Sequence, residues 1–273
     1  MTENSDAMTD AERGQVNAEA AEIYDAFFVP ALFGQFSEPV LDRAGVEVGD
    51  RVLDVGCGTG ILARAARCRV GPTGQVAGVD PNDGMLTVAR RADDSVDWRQ
   101  GVAERLPFGD TTFTRTVSQF AAMFFVDRAQ ALKEMARVTA SGGTVTTATW
   151  SRLEHTPGYE AMVSLINDEL GDAAADALRA PFILGEPGQV RDLLSPFGPK
   201  ISISEVDGTA RFSSIADWVH TDVRGWTLAD LVDDEAEATL INRAERELAR
   251  FVASDGTVTF PAPAIVASVT IDH

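Results

Sequence analysis

The sequence predicts an α/β protein: a doubly wound, mostly parallel sheet with helices on both faces and a mainly helical cap. Three observations predict it. Between Arg51 and Trp150 short apolar runs alternate with helical ones, the pattern of βαβ units whose strands are buried on both faces. A glycine-rich turn, Gly56-Cys57-Gly58-Thr59-Gly60, joins the first such strand to the first such helix. Past Trp150 the alternation gives way to longer amphipathic segments.

Each element follows from its local pattern. Residues 1–15 are polar, small and acidic and are expected to be disordered. Residues 16–48 are read as an N-terminal helical lid, with Ile23, Phe27 and Phe28 at helical spacing. The core is placed at 49–152, with strands Arg51–Val55, Gln75–Asp80, Val96–Gly101, Phe113–Ser118 and Gly143–Thr149. Its helices are Gly60–Val70, Asp83–Arg91 and Arg128–Thr139. Residues 153–185 form a helical cap segment, with Met162, Leu165, Ile166 and Leu170 on one face. Residues 186–273 are expected to complete the sheet while carrying inserted cap helices at about 213–255. Here Gly188–Phe197, Ser213–His220 and Asp233–Ala253 read as helices and Lys200–Val206 as a strand. Thr257–Ile271 reads as a strand broken by Pro261 and Pro263.

The chain of 273 residues is long enough for one large α/β domain with an elaboration. A hydrophobic content of 45% supports a sizeable core. No apolar run approaches a membrane span, so no stable membrane association is expected. The acidic stretch Met1–Glu12 is the opposite of a signal peptide's basic-then-apolar order, which makes the cytoplasm the expected location. Cys57 and Cys68 give neither a disulfide framework nor a metal cluster, and no metal is expected. The formal net charge is −19, and lysine occurs only at Lys133 and Lys200. Such a surface repels phosphate backbones, so no nucleic-acid partner is expected. It suits a high-salt cytoplasm, and equally it is a merely acidic surface. The oligomeric state is left at monomer or homodimer.

The turn at 56–60 carries the chemistry. Glycines let the backbone turn tightly and approach a ligand, and the following helix offers unpaired N–H groups. Asp80 ends the next strand, twenty residues after Gly60. An acid there accepts ribose hydroxyls, and the pair describes a nucleoside held at the carboxyl ends of the first two strands. A dinucleotide is disfavoured, because the G-x-G-x-x-G fingerprint needs glycine where Ile61 stands.

The run Val52-Leu53-Asp54-Val55-Gly56-Cys57-Gly58-Thr59-Gly60, with Asp80 at its spacing, resembles motif I and the ribose acid of class I S-adenosylmethionine-dependent methyltransferases. Pro81-Asn82-Asp83-Gly84-Met85-Leu86 and Gly101-Val102-Ala103-Glu104-Arg105-Leu106-Pro107-Phe108 resemble blocks of the ubiquinone/menaquinone C-methyltransferase branch, the type 11 methyltransferase domain. The resemblance covers about residues 45–150 and implies a Rossmann-like methyltransferase fold with a seven-stranded sheet. It implies S-adenosyl-L-methionine as cofactor, its methionine portion cradled by Gly56, Cys57, Gly58 and Gly60 and its ammonium near Asp54. Asp80 then takes the ribose, with Pro81, Met85, Ala103 and Glu104 about the adenine, and Gln119 and Phe120 beside the transferable methyl. Two positions depart from the branch: Val102 and Thr114 stand where it usually has Asp. The first departure removes an expected contact to the adenine amino group.

Methyl transfer from a sulfonium is an in-line displacement, so positioning supplies most of the catalysis. A small, apolar or aromatic acceptor molecule is expected, with Tyr24, Phe120, Phe124, Phe125 and Trp150 available to line a dry pocket. A quinone or polyprenylated phenol methylated on carbon is the alternative within the class. A non-catalytic S-adenosylmethionine-binding regulator is the alternative of another class. If a general base is needed, the candidates are His155 after the fifth core strand, His220 beside Trp218 on a cap helix, and Tyr24 on the lid. The competing readings are a loop histidine, a surface histidine and a packing tyrosine. Arg179, Arg211 and Arg224 are open as partners for an acceptor carboxylate.

Overall fold

The computed structural model describes residues 18–224, 228 and 232–272; the stretch 1–15 and His273 lie outside them. Five parallel strands form the expected core: β1 (Arg51–Val55), β2 (Gln75–Asp80), β3 (Asp97–Gln100), β4 (Phe113–Gln119) and β5 (Thr139–Trp150). Two more strands, β6 (Ile201–Val206) and β9 (Ala264–Thr270), complete one seven-stranded sheet in the order β3-β2-β1-β4-β5-β9-β6. β9 runs antiparallel between β5 and β6. The order reverses on either side of β1, so the connections leaving β1 and β4 diverge and open a crevice at their carboxyl ends.

Side-chain alternation along β1 divides the core. Val52 faces one layer with Val40, Leu41, Leu62 and Val70, while Leu53 and Val55 face the other with Leu132 and Met135. The first layer is α2 (Ser37–Ala44) and α3 (Ile61–Val70); α5 (Arg128–Val138) lies in the second. The Thr114 departure belongs to the far end of the sheet. Its hydroxyl donates to Asp50 Oδ1 at 2.7 Å and accepts from Arg51 N at 3.0 Å, tying β4 to the start of β1.

α8 (Pro187–Leu194) packs beside the sheet against β6, β9 and α5, while the cap is made of α6 (Pro157–Leu170), α7 (Asp172–Arg179), α9 (Ile215–Arg224), α10 (Asp234–Glu247) and a two-stranded ribbon. The ribbon pairs β7 (Thr209–Phe212) with β8 (Val258–Pro261). The broken strand expected at 257–271 is therefore two strands in two sheets. Pro261 and Pro263 have no N–H to donate, so the ladder stops and the chain changes partner there.

The N-terminal segment bridges core and cap. α1 (Ala18–Ile23) continues as a π-helical stretch, Tyr24–Phe33, which contains Pro30. Glu22 pairs with Arg91 of α4 (Asp83–Ala92), Asp25 with Arg64 of α3, and the Phe27 ring meets the His220 ring edge-on at 6.3 Å. Only this stretch overlies the carboxyl ends of the strands, while α2, read from sequence as part of the same lid, flanks the sheet.

Candidate active site

The glycine loop is fixed by backbone bonds before any side chain is considered. Gly56 N and Cys57 N both donate to Val79 O, at 2.8 and 3.0 Å, so the loop is stitched to the end of β2. Gly60 has φ +86°, and a Cβ there would run into the Trp98 ring, itself held by its indole N–H to Asp93 O at 2.7 Å. Glycine is required at 60 on both counts. Gly58, at φ +53°, faces open space whose nearest side chain is Tyr24 at 4.0 Å.

Asp80 first serves as a brace. Its Oδ2 accepts from Gly58 N and its Oδ1 from Asn82 N, both at 2.9 Å, and Asn82 Oδ1 in turn caps α4 at Met85 N. Each carboxylate oxygen keeps a further lone pair for a ligand. Burial pushes the Asp80 carboxyl up to about 6, against the pull of the Asn82 and Gly58 amides.

A cavity of about 40 Å³ sits over this loop, walled by Tyr24, Phe33, Asp54, Thr59, Gln119 and Phe120. Buried polar atoms without a hydrogen-bond partner belong to residues that line it: both oxygens of Asp54, Thr59 Oγ1 and Gln119 Oε1. A buried polar atom left unpaired is costly, and so many in one place mark a ligand position. Asp54 is 1% exposed. Burial pushes its carboxyl up to about 8; the Ala63 amide opposes this from outside hydrogen-bond geometry, and the Asp80 charge adds to it. The set is rich in acceptors and fits a ligand end that presents N–H donors and positive charge.

Phe120, just past β4, has φ +54°. A non-glycine side chain held in the left-handed region stores about 1–3 kcal/mol and concentrates at functional sites. Phe120 N donates to Ala148 O at 2.8 Å, and the ring stacks on Trp150 with centroids 4.0 Å apart and planes at 20°.

Phe33 opens a second hollow on its other side, about 30 Å³ in volume, walled by Phe28, Leu32, Trp150, Tyr159 and Phe182. Asp222 of α9 is its one charged wall residue, 1% exposed. Tyr159 Oη donates to Asp222 Oδ1 at 3.0 Å, while Oδ2 has no hydrogen-bond partner. Burial pushes the Asp222 carboxyl up to about 8, opposed by Tyr159 and the Trp218 indole. A larger open groove, about 720 Å³, lies between α2 and β6 and contains none of the motif residues.

The expected residues fall into three groups. Asp54, Gly56, Cys57, Gly58, Gln119, Phe120 and Tyr24 line the loop cavity, and Gly60 and Asp80 shape it. Tyr24 stacks on Phe33 at 5.2 Å, and burial with the Asp80, Asp25 and Asp54 charges pushes its hydroxyl pKa up, which suits a hydrogen-bond donor more than a base. Beyond Asp80, Met85 is buried in the first turn of α4, and the Pro81 carbonyl accepts from Gln100 Nε2. Ala103 is buried, Val102 is exposed, and the Glu104 carboxylate accepts from Asp127 N at 3.2 Å. His155 and His220 stand apart from both hollows. His155 Nδ1 meets Ser151 Oγ at 3.0 Å while Ser151 donates to Glu205 at 2.6 Å, a chain in which serine is the middle member and is not activated. His220 Nδ1 meets Glu237 Oε1 at 2.7 Å. Arg179 and Arg224 are neutralised by Asp176 and by Glu237 with Asp234.

Wall residues not legible as such in the sequence include Phe33, Tyr159, Phe182 and Asp222. Asp222 had a signal. Ile215, Trp218, Val219, Asp222 and Val223 form the buried stripe of α9, so one position of an apolar face is occupied by an acid.

Residues 53–147 match the family described as Methyltransferase domain. A demethylmenaquinone methyltransferase of Halalkalibacterium halodurans is 35% identical over 149 residues, 50% of this chain and 61% of its own length. A ubiquinone/menaquinone biosynthesis C-methyltransferase UbiE of Chromobacterium violaceum is 42% identical over 111 residues, 38% of this chain and 44% of its own. The chain thus spans about half the length of these relatives. Among solved structures, Haemonchus contortus phosphoethanolamine N-methyltransferase 2, in complex with phosphomonomethylethanolamine and S-adenosylhomocysteine, shares the fold at TM-score 0.61 and 17% identity. The match covers 96% of this chain and 59% of that one. The [4+2]-cyclase SpnF shares it at TM-score 0.55 and 15% identity, covering 95% and 99%.

Proposed function

From a chain whose residues 53–147 are a class I S-adenosylmethionine-dependent methyltransferase domain, we propose that the protein transfers a methyl group to a small, apolar or aromatic metabolite. The observation that carries the reading is the group of unpaired acceptor oxygens around the glycine loop. In this reading Asp54 and Gln119 receive the donors and positive charge of an amino-acid end, and Asp80 a pair of hydroxyls. When bound, S-adenosylmethionine supplies a methyl group on a sulfonium, an excellent leaving group. The chain's own work is positional: the loop fixes the cofactor's register, while Phe120, Trp150 and Phe33 exclude water from the space between the hollows. His155 and His220 lie outside that space, so catalysis by positioning alone is the simpler account.

The named relatives favour a quinone or polyprenylated phenol methylated on carbon as a second reading, although their match falls on the cofactor-binding half. A fold also found in a cyclase does not by itself fix the reaction, and a protein that binds the cofactor without turnover is the reading to exclude. Labelled S-adenosylmethionine offered with a panel of small phenols, quinols and amines tests this. Formation of S-adenosylhomocysteine that depends on one acceptor class is expected. Tight cofactor binding without turnover across the panel would leave only the regulator.

A further inference from the structure

Beyond the glycine-loop cavity, one acidic side chain among the described residues is buried with a free oxygen in an apolar cavity. Asp222 Oδ1 is held by Tyr159, but Oδ2 has no hydrogen-bond partner and no solvent. The Trp218 indole N–H lies beside it, also without a bond of normal geometry. With Asp222 the rings of Phe28, Phe33, Trp150 and Phe182 line this cavity, and Phe33 is also a wall of the loop cavity. A carboxyl placed on the apolar stripe of a helix is costly to bury unless something accepts or gives a hydrogen bond there.

We propose that this hollow is the acceptor site, and that Asp222 is its specificity residue, taking a hydrogen bond from a hydroxyl or ammonium group on an otherwise apolar, ring-bearing acceptor. The word acceptor rests on the methyl-transfer reading; the ligand chemistry does not. Aromatic faces favour a ring and tolerate a cation, and one buried carboxyl selects a ligand with one donor over its hydrocarbon isostere, because a mismatched ligand leaves Oδ2 unpaired. At about 30 Å³ the hollow has room for about one water, so a ring enters by displacing a wall. The wall that yields is Tyr24–Phe33, a single π-helical stretch interrupted at Pro30, whereas Tyr159 and Trp218 are buried against the ribbon ring of Phe260.

The test uses the full chain and three ligands of one shape: 2-naphthol, 2-naphthylmethylamine and 2-methylnaphthalene, measured by equilibrium dialysis without cofactor. Wild type should bind one or both polar ligands about tenfold or more tighter than the hydrocarbon. Asp222→Leu should erase that preference. Asp222→Asn should keep it for the hydroxyl and lose it for the ammonium, which separates the two donor types. S-adenosylhomocysteine binding should be unchanged in both variants and reports that they are folded. Equal binding of all three ligands to wild type, binding of none, or a preference that survives in Asp222→Leu would overturn the proposal. So would Asp222 variants that lower Tm, as Tyr159→Phe is expected to, with the ligand ratio intact, since that is the behaviour of a purely structural trio. Failure of the methyl-transfer reading shows separately, as absent turnover with the ligand ratio preserved.

Discussion

The hollow at the glycine loop and the hollow under the cap share the Phe33 ring and little else. The first is crowded with unpaired oxygens set on backbone that cannot relax; the second is aromatic with a single acid. The first is assembled largely from residues 54–60 and 118–120, on strand ends locked by ladder bonds. The second draws on the N-terminal segment, the end of β5, α6, α7, the turn at Phe182 and α9, brought together by packing and by the Tyr159–Asp222 hydrogen bond. A polar site of this kind fixes one ligand; an apolar site with a single polar group accommodates a class of them. The cofactor is therefore far better determined than its acceptor.

Several substitutions separate the two hollows, the largest effect first. Gly60→Ala combines left-handed strain with a collision against Trp98 and should destabilise the fold by about 3 kcal/mol. Gly58→Ala carries the strain alone, about 1–2 kcal/mol, with space for the methyl. Equal melting temperatures for the two variants would mean the loop is not braced as described. Asp54→Asn should weaken S-adenosylmethionine binding by about 1.5–3 kcal/mol, read by calorimetry, without disturbing the cap. Phe182→Ala, on the other hollow, should leave that affinity unchanged; loss of affinity there would merge the two sites into one.

A pH experiment sharpens the contrast further. The unliganded Asp54 carboxyl titrates at about 8, next to Asp80, which titrates at about 6, so a cationic ligand must expel a proton from it at neutral pH. Cofactor affinity should therefore rise with pH and level off near 8, with proton release seen by calorimetry in buffers of different ionisation enthalpy, and Asp54→Asn should flatten the curve. Asp54 and Asp222 both titrate above the ordinary carboxylate range. The stability they contribute is full below about 4 and is lost as pH rises through about 8. The smallest effect is expected from Tyr159→Phe: about 1 kcal/mol of stability for one lost hydrogen bond, with no change in cofactor affinity.

Legibility in the sequence followed the same divide. The core strands and the loop were readable because alternation and glycine spacing are local properties, and β1, β2 and the helices after them fall within a few residues of expectation. The ribbon strand β7 was not readable: four residues, Thr209–Phe212, have no periodicity long enough to register, and their partner β8 looked continuous with β9. The side chains of His155 and His220 are chemically versatile, yet each is held by a nearby acid or serine outside both hollows. Asp222 was overlooked because an acid in an amphipathic helix reads as solvent-facing unless its phase is counted against the apolar stripe. Only the fold shows that Tyr159, far away in the chain, is its partner.

Phe33 has one further implication. Because the same ring bounds both hollows, any displacement that fits one occupant changes the free energy of the other. Such coupling is reciprocal: whatever factor an acceptor contributes to cofactor affinity, the cofactor must return to acceptor affinity. The two binding constants are then not independent properties of this chain, and substituting a smaller side chain at 33 would change how strongly the two occupants sense each other.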